Sequence, residues 1–250
     1  MLSVHRVRFS IRALLSGTFL IAVAIACFYV GCIREYRRDA ATVIELEAIG
    51  AKTHSNPREP QWLWSTFGTE VGQRCTSIIL SGTDVSDEQI VKLQRLRDLQ
   101  SLYLDKTAVT DDGLTCLSGM EDLVALSLRR TNISKLPSLS HMQNLVDLDV
   151  SFTSISNIDL SGLGTLQTLA LRSTLLDDAS LAKFPPLPEL ESLDISGTPG
   201  QPVLISDRGI ETITFEKFPK LKSVYLYDCD VSDAQVDRIR SEFPGVKLFP

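Results

Sequence analysis

A chain of 250 residues, 44% hydrophobic and 22% charged, is long enough for one or two folded domains and too apolar to be disordered. Its net charge is −6, but residues 1–38 hold six Arg against one Glu, a balance of +5 that leaves −11 on residues 39–250. That larger part lacks the basic face that phosphates require, which excludes nucleic acid as a partner.

The chain opens on a short basic tail, residues 1–12, with Arg6, Arg8 and Arg12. Residues 13–33, ALLSGTFLIAVAIACFYVGCI, then carry no charge. At 1.5 Å per residue this run makes a helix of about 31 Å, the thickness of a bilayer core, and predicts a single transmembrane helix. A cleaved signal peptide and lipidation at Cys27 or Cys32 are the alternatives. The run is long for a signal core and ends in Arg34-Glu35-Tyr36-Arg37-Arg38, not in a small-residue cleavage site. Three arginines flank each side, so charge does not orient the span. The layout of a short tail followed by one span favours repeats outside the cytoplasm.

Residues 34–74 form the next expected unit. The spacing of Ala40, Val43, Ile44, Leu46 and Ile49 predicts a juxtamembrane helix, and Gly50 is its stop. Trp62, Leu63, Trp64 and Phe67 predict an apolar cluster that caps the exposed end of a stack of repeats starting at residue 75.

Residues 75–250 repeat themselves. Copies of L-x-x-L-x-L-x-x-T-x-[IVL] start at Cys75, Leu99, Leu123, Leu145, Leu166, Leu190 and Leu221, with a partial copy from Val246. The ninth position is Thr83, Thr107, Thr131, Thr153, Thr174 and Thr198, then Cys229. The sixth copy carries about seven extra residues around PGQPVLIS (199–206), expected to bulge from the stack. The pattern and its period resemble the leucine-rich repeat. That resemblance implies an α/β solenoid of about seven repeats, with a parallel sheet on the concave face and short helices or turns on the convex face. The basic opening VRFSIRALL, the AIGAK after the short helix and the threonine-rich copies are together similar to bacterial membrane-anchored leucine-rich-repeat proteins, implying an envelope location and a binding role.

After each strand the longer copies place Val85-Ser86-Asp87, Val109-Thr110-Asp111, Leu176-Asp177-Asp178, Ile205-Ser206-Asp207 and Val231-Ser232-Asp233. Ser, Thr and Asp suit a helix N-terminus, and Ser86-x-x-Gln89 and Ser232-x-x-Gln235 have capping-box spacing. The third and fourth copies have Lys135 and Asn157 instead, so their return segments are expected to be extended.

Nothing assembles into a catalytic or metal-binding set. His5, His54 and His141 lie apart, and Gly162-x-Gly164 lacks the third glycine of a dinucleotide loop. An odd cysteine count argues against a disulfide framework, and Cys116 is expected to be partly exposed. No enzyme activity and no cofactor are expected. With positions 4 and 6 inward, alternation turns positions 3, 5, 7 and 8 to the concave side. The expected binding residues there are Tyr103, Asp105, Arg129, Arg130, Asp149, Phe152, Arg172, Tyr225 and Tyr227. Their partner is expected to be another protein or an envelope polymer. A structural envelope protein acting by self-association is the alternative.

Overall fold

The computed structural model describes residues 39–57, 73–200 and 203–250, with positions 19, 20, 23, 27 and 31. The chain divides into two units, residues 1–40 with 57–74 and residues 41–56 with 75–250. In the first unit the described positions 19, 20, 23, 27 and 31 are helical. The basic tail, most of the expected span 13–33 and the cluster of Trp62, Leu63, Trp64 and Phe67 lie outside the described residues. Among the described residues no helix is long and apolar enough to cross a membrane.

The second unit is built on a nine-stranded sheet whose strands follow chain order: β1 (Lys52–Pro57), β2 (Gln73–Ile79), β3 (Ser101–Tyr103), β4 (Ala125–Ser127), β5 (Asp147–Asp149), β6 (Thr168–Ala170), β7 (Ser192–Asp194), β8 (Ser223–Tyr225) and β9 (Lys247–Phe249). From β2 onward all pairs are parallel, and the fourth position of each copy forms one row: Ile78, Leu102, Leu126, Leu148, Leu169, Leu193 and Val224, ending in Leu248. A three-residue copy of L-x-L cannot bury its leucines alone. Stacked, the fourth and sixth positions of all seven copies are at most 3% exposed and join one continuous core.

The ladder runs past the short strands. The sixth position donates its N–H to the next rung, as in Leu104 N–H to Ser127 O at 2.8 Å and Leu128 N–H to Asp149 O at 2.8 Å. The eighth position does the same, with Lys106 N–H to Arg129 O at 2.8 Å and Phe152 N–H to Arg172 O at 2.7 Å. At that eighth position the backbone turns left-handed: Gly82, Lys106, Arg130, Phe152, Ser173 and Asp228 have φ of 73°, 56°, 55°, 60°, 50° and 52°. The next residue, threonine, closes the turn by donating Oγ1 to the sixth-position carbonyl of its own copy. The distances are 2.7 Å in Thr83, 2.7 Å in Thr107, 2.6 Å in Thr131, 2.7 Å in Thr153 and 2.8 Å in Thr174. In the sixth copy Thr198 pairs with Ser173 Oγ instead, and Cys229 Sγ from the next copy serves the Ile195 carbonyl at 3.4 Å.

The return segments are the helices α1 (Asp87–Val91), α2 (Asp178–Ala182), α3 (Asp207–Ile210) and α4 (Asp233–Glu242), with tighter 3₁₀ turns at Lys92–Arg95 and Gly113–Gly119. The third and fourth copies return without a helix, as their missing Asp predicts. Capping explains only part of the aspartate column. Asp177 accepts Ser180 N–H at 2.8 Å, and Ser86 N–H donates to Gln89 Oε1 at 2.8 Å. The second expected capping box fails, because Gln235 turns to Glu211 and Arg238. Asp87, Asp111, Asp178 and Asp207 instead reach forward to the next copy. Asp87 accepts Thr110 N–H and Oγ1 at 2.9 and 2.6 Å, Asp111 accepts Ser134 N–H and Oγ at 2.7 Å each, and Asp178 accepts Ser206 N–H and Oγ at 2.7 and 2.6 Å. These are staples between repeats. Gly113 and Gly209 make room for two of them, since a Cβ at either place would overlap the Asp87 or Asp178 carboxylate.

Two further expectations need correction. The sixth copy's extra residues do not simply bulge: Val203 and Ile205 are 6% and 2% exposed, and Leu204 and Ser206 bridge to Asp177 and Asp230. Gln201 and Pro202 lie outside the described residues. Within the second unit Leu46, on the helix at 39–48, is 1% exposed and enters the core, and Gly50, at φ 96°, ends the turn. Cys116 is fully buried, not partly exposed, and burial pushes its thiol up to about 12.

Candidate binding face

The fifth and seventh positions of each copy lie on the sheet face opposite the leucine row, and most of that face is small and polar. Its serines are more enclosed than alternation suggests: Ser127, Ser151 and Ser196 are 8%, 2% and 0% exposed. They are drawn into a network centred on aspartates. Asp105 accepts Ser81 Oγ at 3.0 Å, Ser127 Oγ and Arg129 N–H at 3.2 Å, so both its oxygens are occupied by the sheet. Asp149 accepts Ser151 N–H at 2.8 Å, and Asp194 accepts Ser196 N–H at 3.0 Å. These carboxylates tie down the turns after their strands and do not pair with the arginines.

The arginines go elsewhere. Arg129 and Arg130 come after β4, Phe152 after β5 and Arg172 after β6, so three successive rungs contribute. The guanidinium carbons of Arg129, Arg130 and Arg172 lie 4.7, 4.8 and 5.8 Å from the centre of the Phe152 ring. A ring face carries negative quadrupolar charge and attracts cations, which is what holds three like charges together. The left-handed turns at Arg130 and Phe152 put these two eighth-position side chains in the cluster, on the side where they were expected. Arg172 Nε is buried with no hydrogen-bond partner among the described residues.

A second group stands at the other end. Tyr225 stacks on Phe249 with ring centres 4.6 Å apart and planes 6° apart, and Tyr227 lies 6.4 Å from each, tilted by 42°. Sequence reading missed Phe249. Val246 takes the first position of the last copy, but that copy is one residue short before its strand, so Leu248 and not Phe249 pairs with Val224. A one-residue slip exchanges faces, and Phe249 comes up beside Tyr225. Tyr103, half-buried on β3, joins neither group through a ring contact.

Among the described residues no group of three or more His, Cys, Asp or Glu side chains is placed to hold a metal. His141 Nε2 is bonded to the Leu117 carbonyl at 2.9 Å. Burial pushes the Cys229 thiol up to about 12, well away from a reactive thiolate. The stretch FPPLP (184–188) is anchored in the stack, with Phe184 and Leu187 3% and 1% exposed and Leu187 N–H bonding Lys217 O at 2.8 Å.

The architecture is that of a leucine-rich-repeat solenoid. Comparison with solved structures places it beside an internalin, InlF, from Listeria monocytogenes, with a TM-score of 0.57 and 21% identity over 70% of this chain and 47% of that one. Internalin C2 from the same organism aligns at 23% identity over 72% of this chain and 84% of that one, TM-score 0.47. The leucine-rich-repeat ectodomain of the receptor kinase SOBIR1 from Arabidopsis thaliana aligns at 20% identity over 56% and 82%, TM-score 0.42. This chain thus spans about half the length of the InlF structure, and at such identity the likeness is one of fold. No protein-family profile matches the chain, and no curated protein matches its sequence.

Proposed function

We propose that this chain is a non-enzymatic binding module that captures another protein on its concave face and is held at a membrane by residues 13–33, with the repeats outside the cytoplasm. The observation that carries the reading is the concave face itself. On a floor of Ser, Ala, Thr and sheet-bound Asp, the large side chains gather into an Arg–Phe cluster and an aromatic cluster, and Tyr, Trp and Arg are the types that dominate interface energy. The span is supported by its uncharged 21-residue sequence.

Photo-crosslinking residues placed at Tyr103 and Tyr227, and at Gln94 and Thr115 on the return segments, test the reading with the full chain in the cells that make it. Protein adducts are expected from the two concave positions and not from the return segments. The opposite pattern overturns it, and adducts only to a second copy would favour self-association.

A further inference from the structure

We infer that Arg129, Arg130 and Arg172, mounted on Phe152, form a clamp for an acidic segment of a protein partner; the inference rests on the concave-face reading. Three guanidinium groups within 5.8 Å of one ring centre concentrate positive charge at a single spot. None of the three has a carboxylate or carbonyl acceptor among the described residues. Two arginines of α4 do find acidic partners, Arg238 bonding Glu242 at 2.6 Å and Arg240 bonding Asp237 at 3.0 Å. Within the clamp, the aspartates of the same face are turned to serines and backbone N–H groups. Arg172 adds a buried Nε with no acceptor, so its partial desolvation is not offset by the protein.

Phe152 serves to position the arginines. Gly82 holds the equivalent left-handed turn with no side chain, so the backbone does not call for an aromatic residue there. A bulky residue at φ 60° is disfavoured, and what it supplies is the ring on which the three cations rest. A guanidinium lying against a ring keeps its N–H edge free, and that edge matches the two oxygens of a carboxylate.

The rest of the molecule selects the kind of anion. Residues 39–250 carry −11, and Asp105, Asp149 and Asp194 lie on rungs beside or between the arginines. A polyanion laid along the face would meet that repulsion on the rungs of Asp105, Asp149 and Asp194. A peptide carrying one or two carboxylates flanked by neutral or aromatic residues meets it least, and Tyr225, Tyr227 and Phe249 offer such flanks an apolar surface further along the sheet.

The test is a random dodecapeptide library displayed on phage and selected against the full chain in neutral-lipid nanodiscs. Recovered peptides are expected to be enriched in Asp and Glu. Replacing their acids by Asn and Gln, or making Arg129→Gln with Arg172→Gln, should each weaken binding about ten-fold or more, with the circular dichroism and melting temperature of the protein unchanged. Phe152→Leu, which keeps an apolar side chain but removes the ring, should weaken the same peptides while leaving acid-free binders unaffected. Recovery without acidic enrichment, no recovery at all, or equal binding by the amide peptides overturns the inference. So does heparin, if it binds more tightly than the peptides with the same arginine dependence. If crosslinks from Tyr103 and Tyr227 persist while the peptide result fails, the concave-face reading stands and this inference alone falls.

Discussion

At the scale of single residues, the recurring turn is set by two positions that work together. The eighth takes the left-handed conformation and the ninth closes it through a hydroxyl. Lys106 has φ 56° and an exposed side chain, so a substitution there reads the backbone alone. Lys106→Val should cost about 1–2 kcal/mol in urea unfolding, because a β-branched side chain crowds the carbonyl in this region, whereas Lys106→Gly should cost nothing. Thr131 is 5% exposed and its Oγ1 bonds the Leu128 carbonyl at 2.6 Å. Thr131→Val keeps the shape but strands that buried acceptor, and should lower the unfolding free energy by about 1–3 kcal/mol. The threonine column was plain in the sequence as a recurrence. Its partner was not, because only the folded turn brings the hydroxyl back to the carbonyl three residues earlier. The left-handed column was hidden for a different reason: Lys, Arg, Phe, Ser and Asp share no chemical signal, and only Gly82 hinted at it.

At the scale of elements, the inward leucines fixed strand register in advance, since a period of two leaves one face for the core. Leu148 sits mid-row between Leu126 and Leu169 and is 1% exposed. Leu148→Ala should cost about 2–5 kcal/mol, measured by chemical denaturation, because neighbours on both sides are held by their own rungs and cannot close the cavity. Phe249 lay beyond that logic: the partial copy from Val246 is one residue short before its strand, and this deficit brings the ring up beside Tyr225 in the aromatic cluster. The aspartates were read as helix caps because residue type and position suit a cap. Their forward reach to the next copy depends on how closely two return segments stack, which no single copy encodes. Arg129, Arg130, Phe152 and Arg172 were expected together as a central patch of the concave face, but the seating of three guanidinium groups on one ring depends on the turn geometry and is not written in the spacing.

At the scale of the molecule, stability is a sum of rungs and of the bonds between them, and several of those bonds end on carboxylates. Hydrogen bonds from Ser180 hold the Asp177 carboxyl below its ordinary value, and those from Ser232 do the same for Asp207. Partial burial pushes Asp111 up, but the bonds from Lys135 and Ser134 outweigh it and leave it lowered. A carboxyl lowered by folding stabilises the fold above its unfolded value, about 3.9, and that contribution disappears as pH falls through the folded value. The melting temperature should therefore be flat from pH 7 to 5 and fall steeply below pH 4. Asp177→Asn should change little at pH 7, since Asn caps nearly as well as Asp, and should make the acid fall shallower. Differential scanning fluorimetry across that range checks both. The forward-reaching aspartates also have a mechanical meaning. Each fastens its own repeat to the next, so a pull applied at the two ends meets a series of similar latches. Each latch that opens frees one copy, 24 residues in the first, second and fifth and 31 in the sixth, or about 80 to 100 Å of slack chain, so the protein would lengthen in measured steps while the remaining rungs keep their grip.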